Sequence, residues 1–113
     1  MDRFRRYLGC RLNLQNLKND EPLRCLGIAC TYAPDPPEDF DEFEFRTCFR
    51  GEDNVVITIA LELGIIKRIM FGETDADNPD VVKSLTASRL DDFLAAKGDQ
   101  LVRFFQYITG GEV

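Results

Sequence analysis

Asp35-Pro-Pro-Glu-Asp-Phe-Asp-Glu-Phe-Glu-Phe-Arg-Thr-Cys-Phe49 is the stretch whose reading decides the fold. Its second half alternates. Phe43, Phe45, Thr47 and Phe49 fall on one side, and Glu42, Glu44, Arg46 and Cys48 on the other. A period of two is what a β-strand requires when one face is buried and the other wet. The spacing therefore predicts a strand over residues 42–50, with its aromatic side in a core and its charged side in solvent. The first ten residues of the stretch hold six carboxylates and no cation. The prolines at 34, 36 and 37 predict an extended, exposed acidic loop over residues 33–40 that leads into this strand.

Gly51-Glu52-Asp53-Asn54 reads as a four-residue hairpin connection. Residues 55–63 follow as a second strand, with Val55, Ile57, Ile59, Leu61 and Leu63 on one face and Val56, Thr58, Ala60 and Glu62 on the other. Both faces are largely apolar, which predicts a central strand covered on both sides. Residues 65–71 continue in β-branched and aromatic character past Gly64, as a separate strand or the far half of a bent one. Residues 72–79 read as a loop. Upstream, residues 23–32 alternate as a strand, and Asn19-Asp20-Glu21-Pro22 reads as a turn.

The two ends predict helices. Towards the C-terminus, Ser88 is the candidate N-cap, with Asp91 three residues on. Leu90, Leu94, Leu101, Phe104, Phe105 and Ile108 then share an apolar sector about 100° wide. Lys97 falls within that sector beside Gly98: either Lys97 snorkels from a continuous helix, or the helix breaks at Gly98 and restarts with Asp99 as N-cap, and the expectation leans to the break. Residues 3–17 read as an N-terminal helix, although Gly9 weakens it by about 1 kcal/mol relative to Ala and the Leu12/Leu14 alternation permits a strand in its second half. The expected fold is α+β: one domain, an antiparallel sheet of three to five strands, a C-terminal helix and an N-terminal helix.

Composition narrows the function classes. The 113 residues are 44% hydrophobic, include nine Phe, and carry a net charge of −6. That is enough apolar matter for a core. The negative balance opposes nucleic-acid binding, which needs clustered Lys and Arg. Arg3, Arg5, Arg6 and Arg11 concentrate positive charge near the N-terminus. No run approaches the roughly 18 apolar residues of a membrane span, and the first residues lack a signal-peptide core, so the expected location is cytoplasmic. In that compartment Cys10, Cys25, Cys30 and Cys48 are expected as free thiols.

The chain has no His, which removes the Ser/His and Cys/His nucleophile systems. Phosphate-loop, dinucleotide and nucleophile-elbow motifs are absent from the sequence. Cys25 and Cys30, five positions apart, would face opposite sides of a regular strand; a zinc pair would need a bulge between them, which Gly27 could provide, and free thiols are the expectation. An EF-hand loop starting at Asp75 would need Gly and Glu where Asp80 and Thr86 stand. No cofactor or metal is expected.

Phe4-Arg-Arg-Tyr-Leu-Gly-Cys-Arg-Leu-Asn-Leu-Gln-Asn-Leu17 resembles the first helix of the secretion chaperones of bacterial injection systems, and Ile57-Thr-Ile-Ala-Leu-Glu-Leu-Gly64 resembles their third strand. The likeness covers about a quarter of the chain and leaves no room for that family's second helix and later strands. It implies a homodimer that binds an extended client. The reading from charge is different: a non-catalytic binding module or inhibitor, in the manner of toxin-neutralising immunity proteins or phage and mobile-element accessory proteins. As monomer or homodimer, it would present Asp35, Glu38, Asp39, Asp41, Glu42 and Glu44 to a basic protein partner. A small enzyme using carboxylate or thiol chemistry is the third class.

Overall fold

The computed structural model describes residues 2–33, 40–49, 52–75, 77, 78 and 80–110. The fold is α+β. Five antiparallel strands run in chain order across one sheet: β1 (Ile28–Tyr32), β2 (Phe40–Phe49), β3 (Glu52–Glu62), β4 (Ile65–Thr74) and β5 (Val82–Ser84). The helices are α1 (Leu14–Lys18), α2 (Glu21–Cys25) and the long α3 (Ala87–Ile108), preceded by a 3₁₀ helix over Asp2–Tyr7.

The alternation in β2 holds. Phe43, Phe45, Thr47 and Phe49 are buried, while Glu42 and Cys48 are exposed and Glu44 and Arg46 half-buried. Register sets Phe43 opposite Ile59 and Phe45 opposite Ile57; on the far side of β3, Ile57 meets Phe71 and Ile59 meets Ile69. These side chains make one apolar face, and α3 lies across it. Phe104 meets Phe45 edge-on at 4.8 Å, and Phe93 meets Phe49 at 5.4 Å and Phe71 at 5.9 Å. The 3₁₀ helix adds Phe4, 5.3 Å from Phe105, and Tyr7, stacked on Phe105 at 5.1 Å. Each fully buried aromatic of this kind contributes about 1.5–3 kcal/mol relative to exposure.

Several expectations need correction. β3 is central, but the two faces are not equally covered: on the face away from α3 Val56 is buried, whereas Thr58 and Ala60 are only half-buried. The first half of the expected 23–32 strand is α2. Asp20 is its N-cap and Pro22 sits in its first turn, where the missing N–H costs nothing. The expected hairpin loop is shorter, since β3 begins at Glu52 and pairs it with Phe49. Gly72, Glu73 and Thr74 belong to β4 and pair with β5, a strand whose three exposed residues carry no alternation.

The N-terminal helix is two short pieces rather than one. Gly9 turns the chain at φ +86°, and Arg11 bridges Ile65 as a fragment of strand. α3 is unbroken through Gly98, which is buried where the Arg3 guanidinium lies over the helix. Its N-cap is Thr86, whose hydroxyl accepts from Arg89 N–H at 3.4 Å, not Ser88. α1 serves the other end of α3: Asn16 Nδ2 donates to Tyr107 C=O at 2.7 Å and Asn13 N–H to Ile108 C=O at 2.6 Å. Two of the carbonyls that a helix C-terminus leaves without partners are thereby satisfied.

β3 and β4 are joined by Leu63 and Gly64, both at positive φ (54° and 81°). Two positive φ values in a two-residue hairpin match strand twist, and Asn-Gly is the favoured pair. A leucine there is strained and is also 63% exposed. Leu63→Asn is therefore expected to stabilise the protein by about 1 kcal/mol, the cost of a left-handed non-glycine residue. A thermal melt at or below the wild-type midpoint would show that this backbone is not strained.

Candidate protein-binding face

The sheet face turned away from α3 is the candidate site. Burial of Phe43 and Phe45, 1% and 0% exposed, turns Glu42 and Glu44 out onto it. Cross-strand register then fixes their neighbours. One row runs Tyr32, Glu44, Thr58, Met70; the next runs Glu42, Ala60, Arg68; on the other side lies Ala29, Arg46, Val56, Gly72. Tyr32, at the end of β1, is 54% exposed. Thr31 Oγ1 donates to Glu44 C=O at 3.2 Å and ties β1 to β2 at this point.

Of the residues expected to form the acidic surface, Asp35, Glu38 and Asp39 lie outside the described residues. Glu42 and Glu44 share the open face. Asp41 does not: it sits opposite Leu61, on the parity of the buried side, and is half-buried at the end of the sheet. It rejoins Glu42 in a hollow of about 540 Å³ lined by Tyr32, Asp41, Glu42, Glu62, Lys67 and Arg68, with Ala60 and Leu61 as its floor.

Lys67 and Arg68 are the residues the sequence reading missed. Ala60 pairs Arg68 while Leu61 pairs Ile66, so Lys67 is the extra residue of a β-bulge. A bulge breaks strict alternation and re-aims side chains, which brings two successive cations to one hollow. Lys67 Nζ lies 3.5 Å from Glu62, a half-exposed ion pair worth at most about 1 kcal/mol. The hollow thus sets three carboxylates against two cations, and along β2 the open face carries Glu42 and Glu44 and then Arg46.

Asp75 Oδ1 accepts from Asp77 N–H at 2.9 Å and its carboxylate pairs with Lys83 at 3.3 Å. These contacts, the backbone N–H first, hold the Asp75 carboxyl below its usual range. Cys25 and Cys48 are exposed, Cys10 and Cys30 are half-buried, and none is bridged. Burial pushes the Cys30 thiol up. Among the described residues no group of three or more Cys, Asp or Glu could hold a metal ion. No helix among them is long and apolar enough to cross a membrane. Comparison with protein-family models, with curated proteins and with solved structures finds no match to this chain.

Proposed function

We propose that this chain is a small non-catalytic binding module that docks a basic protein through the open face of its sheet. One observation carries the reading: the helices cover a single face, while the opposite one displays exposed Tyr32 beside Glu42 and Glu44. In this proposal Tyr32 is the rigid anchor, an aromatic with few rotatable bonds and a polar tip. Glu42 and Glu44 receive Lys or Arg side chains, with Asp41, Asp35, Glu38 and Asp39 adding to the attraction. The unbridged thiols suit a reducing cytoplasm.

The test is a pull-down from host lysate, followed by association kinetics of the captured protein across a salt series. Association is expected to slow markedly as salt rises, because exposed charges are screened beyond about 10 Å at 0.1 M. Glu42→Lys with Glu44→Lys is expected to slow it about tenfold at low salt, while stability stays within about 0.5 kcal/mol of wild type, as for other surface changes. Binding indifferent to salt and to both reversals would reduce the acidic strand to a solubilising surface.

A further inference from the structure

The edge of β4 is paired at both ends and open in the middle. Near its start, Gly9 N–H donates to Ile66 C=O at 2.8 Å and Ile66 N–H to Cys10 C=O at 2.9 Å. Towards its end, Leu85 N–H donates to Phe71 C=O at 3.2 Å and β5 pairs from Gly72 onward. Between these, residues 67–70 have no backbone partner on that side among the described residues. Four strand residues span about 13 Å. Outward-facing positions alternate in an antiparallel ladder. Counting back from Phe71 makes Ile69 the next to point its N–H and C=O outward, and the bulge at Lys67 reconciles this count with Ile66.

The open edge is the floor of a cleft of about 170 Å³ between β4 and the 3₁₀ helix, lined by Phe4, Arg5, Leu8, Lys67, Arg68, Ile69 and Met70. Three of these residues are cations and none is a carboxylate, on a chain whose net charge is −6. Leu8 is 43% exposed and Met70 is half-buried, so both offer apolar surface beside the charges.

We infer that this cleft binds an extended acidic segment of a partner protein by strand addition to β4. The incoming backbone pairs with the outward N–H and C=O of Ile69. Alternate side chains separate: carboxylates reach Lys67 and Arg68, and apolar residues lie against Leu8 and Met70. The Lys67–Glu62 pair, 3.5 Å long and more than a third exposed on both sides, yields to a ligand carboxylate at little cost. Lys67 and Arg68 also line the hollow of the open sheet face, beside Asp41, Glu42 and Glu62, so the two sites adjoin and differ in the charge of the ligand they take.

The probes are dye-labelled peptides of about four residues, the length of the open edge: alternating Glu and Val, the same peptide N-methylated at alternate residues, and alternating Lys and Val. Fluorescence anisotropy at low salt is expected to show binding of the Glu/Val peptide alone. Lys67→Glu with Arg68→Glu is expected to weaken it about tenfold. Amide exchange at Ile69 should slow when the peptide is bound. Equal binding of the N-methylated peptide would reduce the effect to charge attraction and overturn strand addition. Absence of Glu/Val binding, indifference to the reversals, or occupation of the same edge by a second copy of the chain would also overturn it.

Discussion

Phe105→Ala should cost about 3–5 kcal/mol, the range for emptying a large aromatic site in a core. Phe105 is fully buried and touches three rings: Phe4 at 5.3 Å, Tyr7 at 5.1 Å and Phe104 at 5.1 Å. Two of those rings belong to the 3₁₀ helix, whose attachment to α3 runs through this side chain. The loss should therefore have two parts: a lower global midpoint in denaturant, and earlier exchange of the amides that hold the N-terminal segment, Gly9 and Leu12 among them. A variant that melts within a degree of wild type would mean that the site collapses without leaving a cavity, and the packing assigned to α3 would be wrong.

Gly72→Ala should cost about 1–3 kcal/mol, the usual penalty for overpacking. A Cβ at Gly72 would lie 2.7 Å from Val82 Cγ1 and 2.9 Å from Lys83 C=O. The valine can rotate; the carbonyl is backbone and belongs to β5, so the strand itself must shift. β5 has three residues, all exposed, and pairs only with Gly72, Glu73 and Thr74. The expected result is a local one, with β5 leaving the sheet and exchange at Val82–Ser84 rising more than the global midpoint falls. Unchanged exchange at those amides together with an unchanged midpoint would show that the close approach is not there.

These two sites also mark what sequence could and could not convey. Phe43, Phe45, Ile57, Ile59, Leu101 and Phe105 were legible because burial on one face imposes a period, and a period survives in the residue order. Gly72 and Gly98 were not. Each has the composition of a breaker, yet each lies inside a regular element at a close approach that only the fold creates: to the backbone of β5 at Gly72, to the Arg3 guanidinium at Gly98. Pro22 misled for a related reason. Beside Asn19, Asp20 and Glu21 it marked a turn, whereas it stands in the first turn of α2, and the alternation of residues 23–32 starts inside that helix before it becomes a strand. In the candidate site the outward aim of Glu42 and Glu44 followed from their neighbours. The convergence of Lys67 and Arg68 depended on a one-residue register shift, and register is a property of two strands rather than of either sequence.

The order of elements has a consequence for how the chain is made. Every strand precedes α3, so a ribosome completes the sheet's apolar face before it begins the helix that covers it. Until residues 87–108 have left the exit tunnel, Phe45 and Phe49 lack Phe104 and Phe93 of α3, and the nascent chain carries a sticky half-domain. Messages cut short before α3 should accordingly yield protein that is captured by chaperones or lost to aggregates. A stop placed after α3 should release a chain that folds.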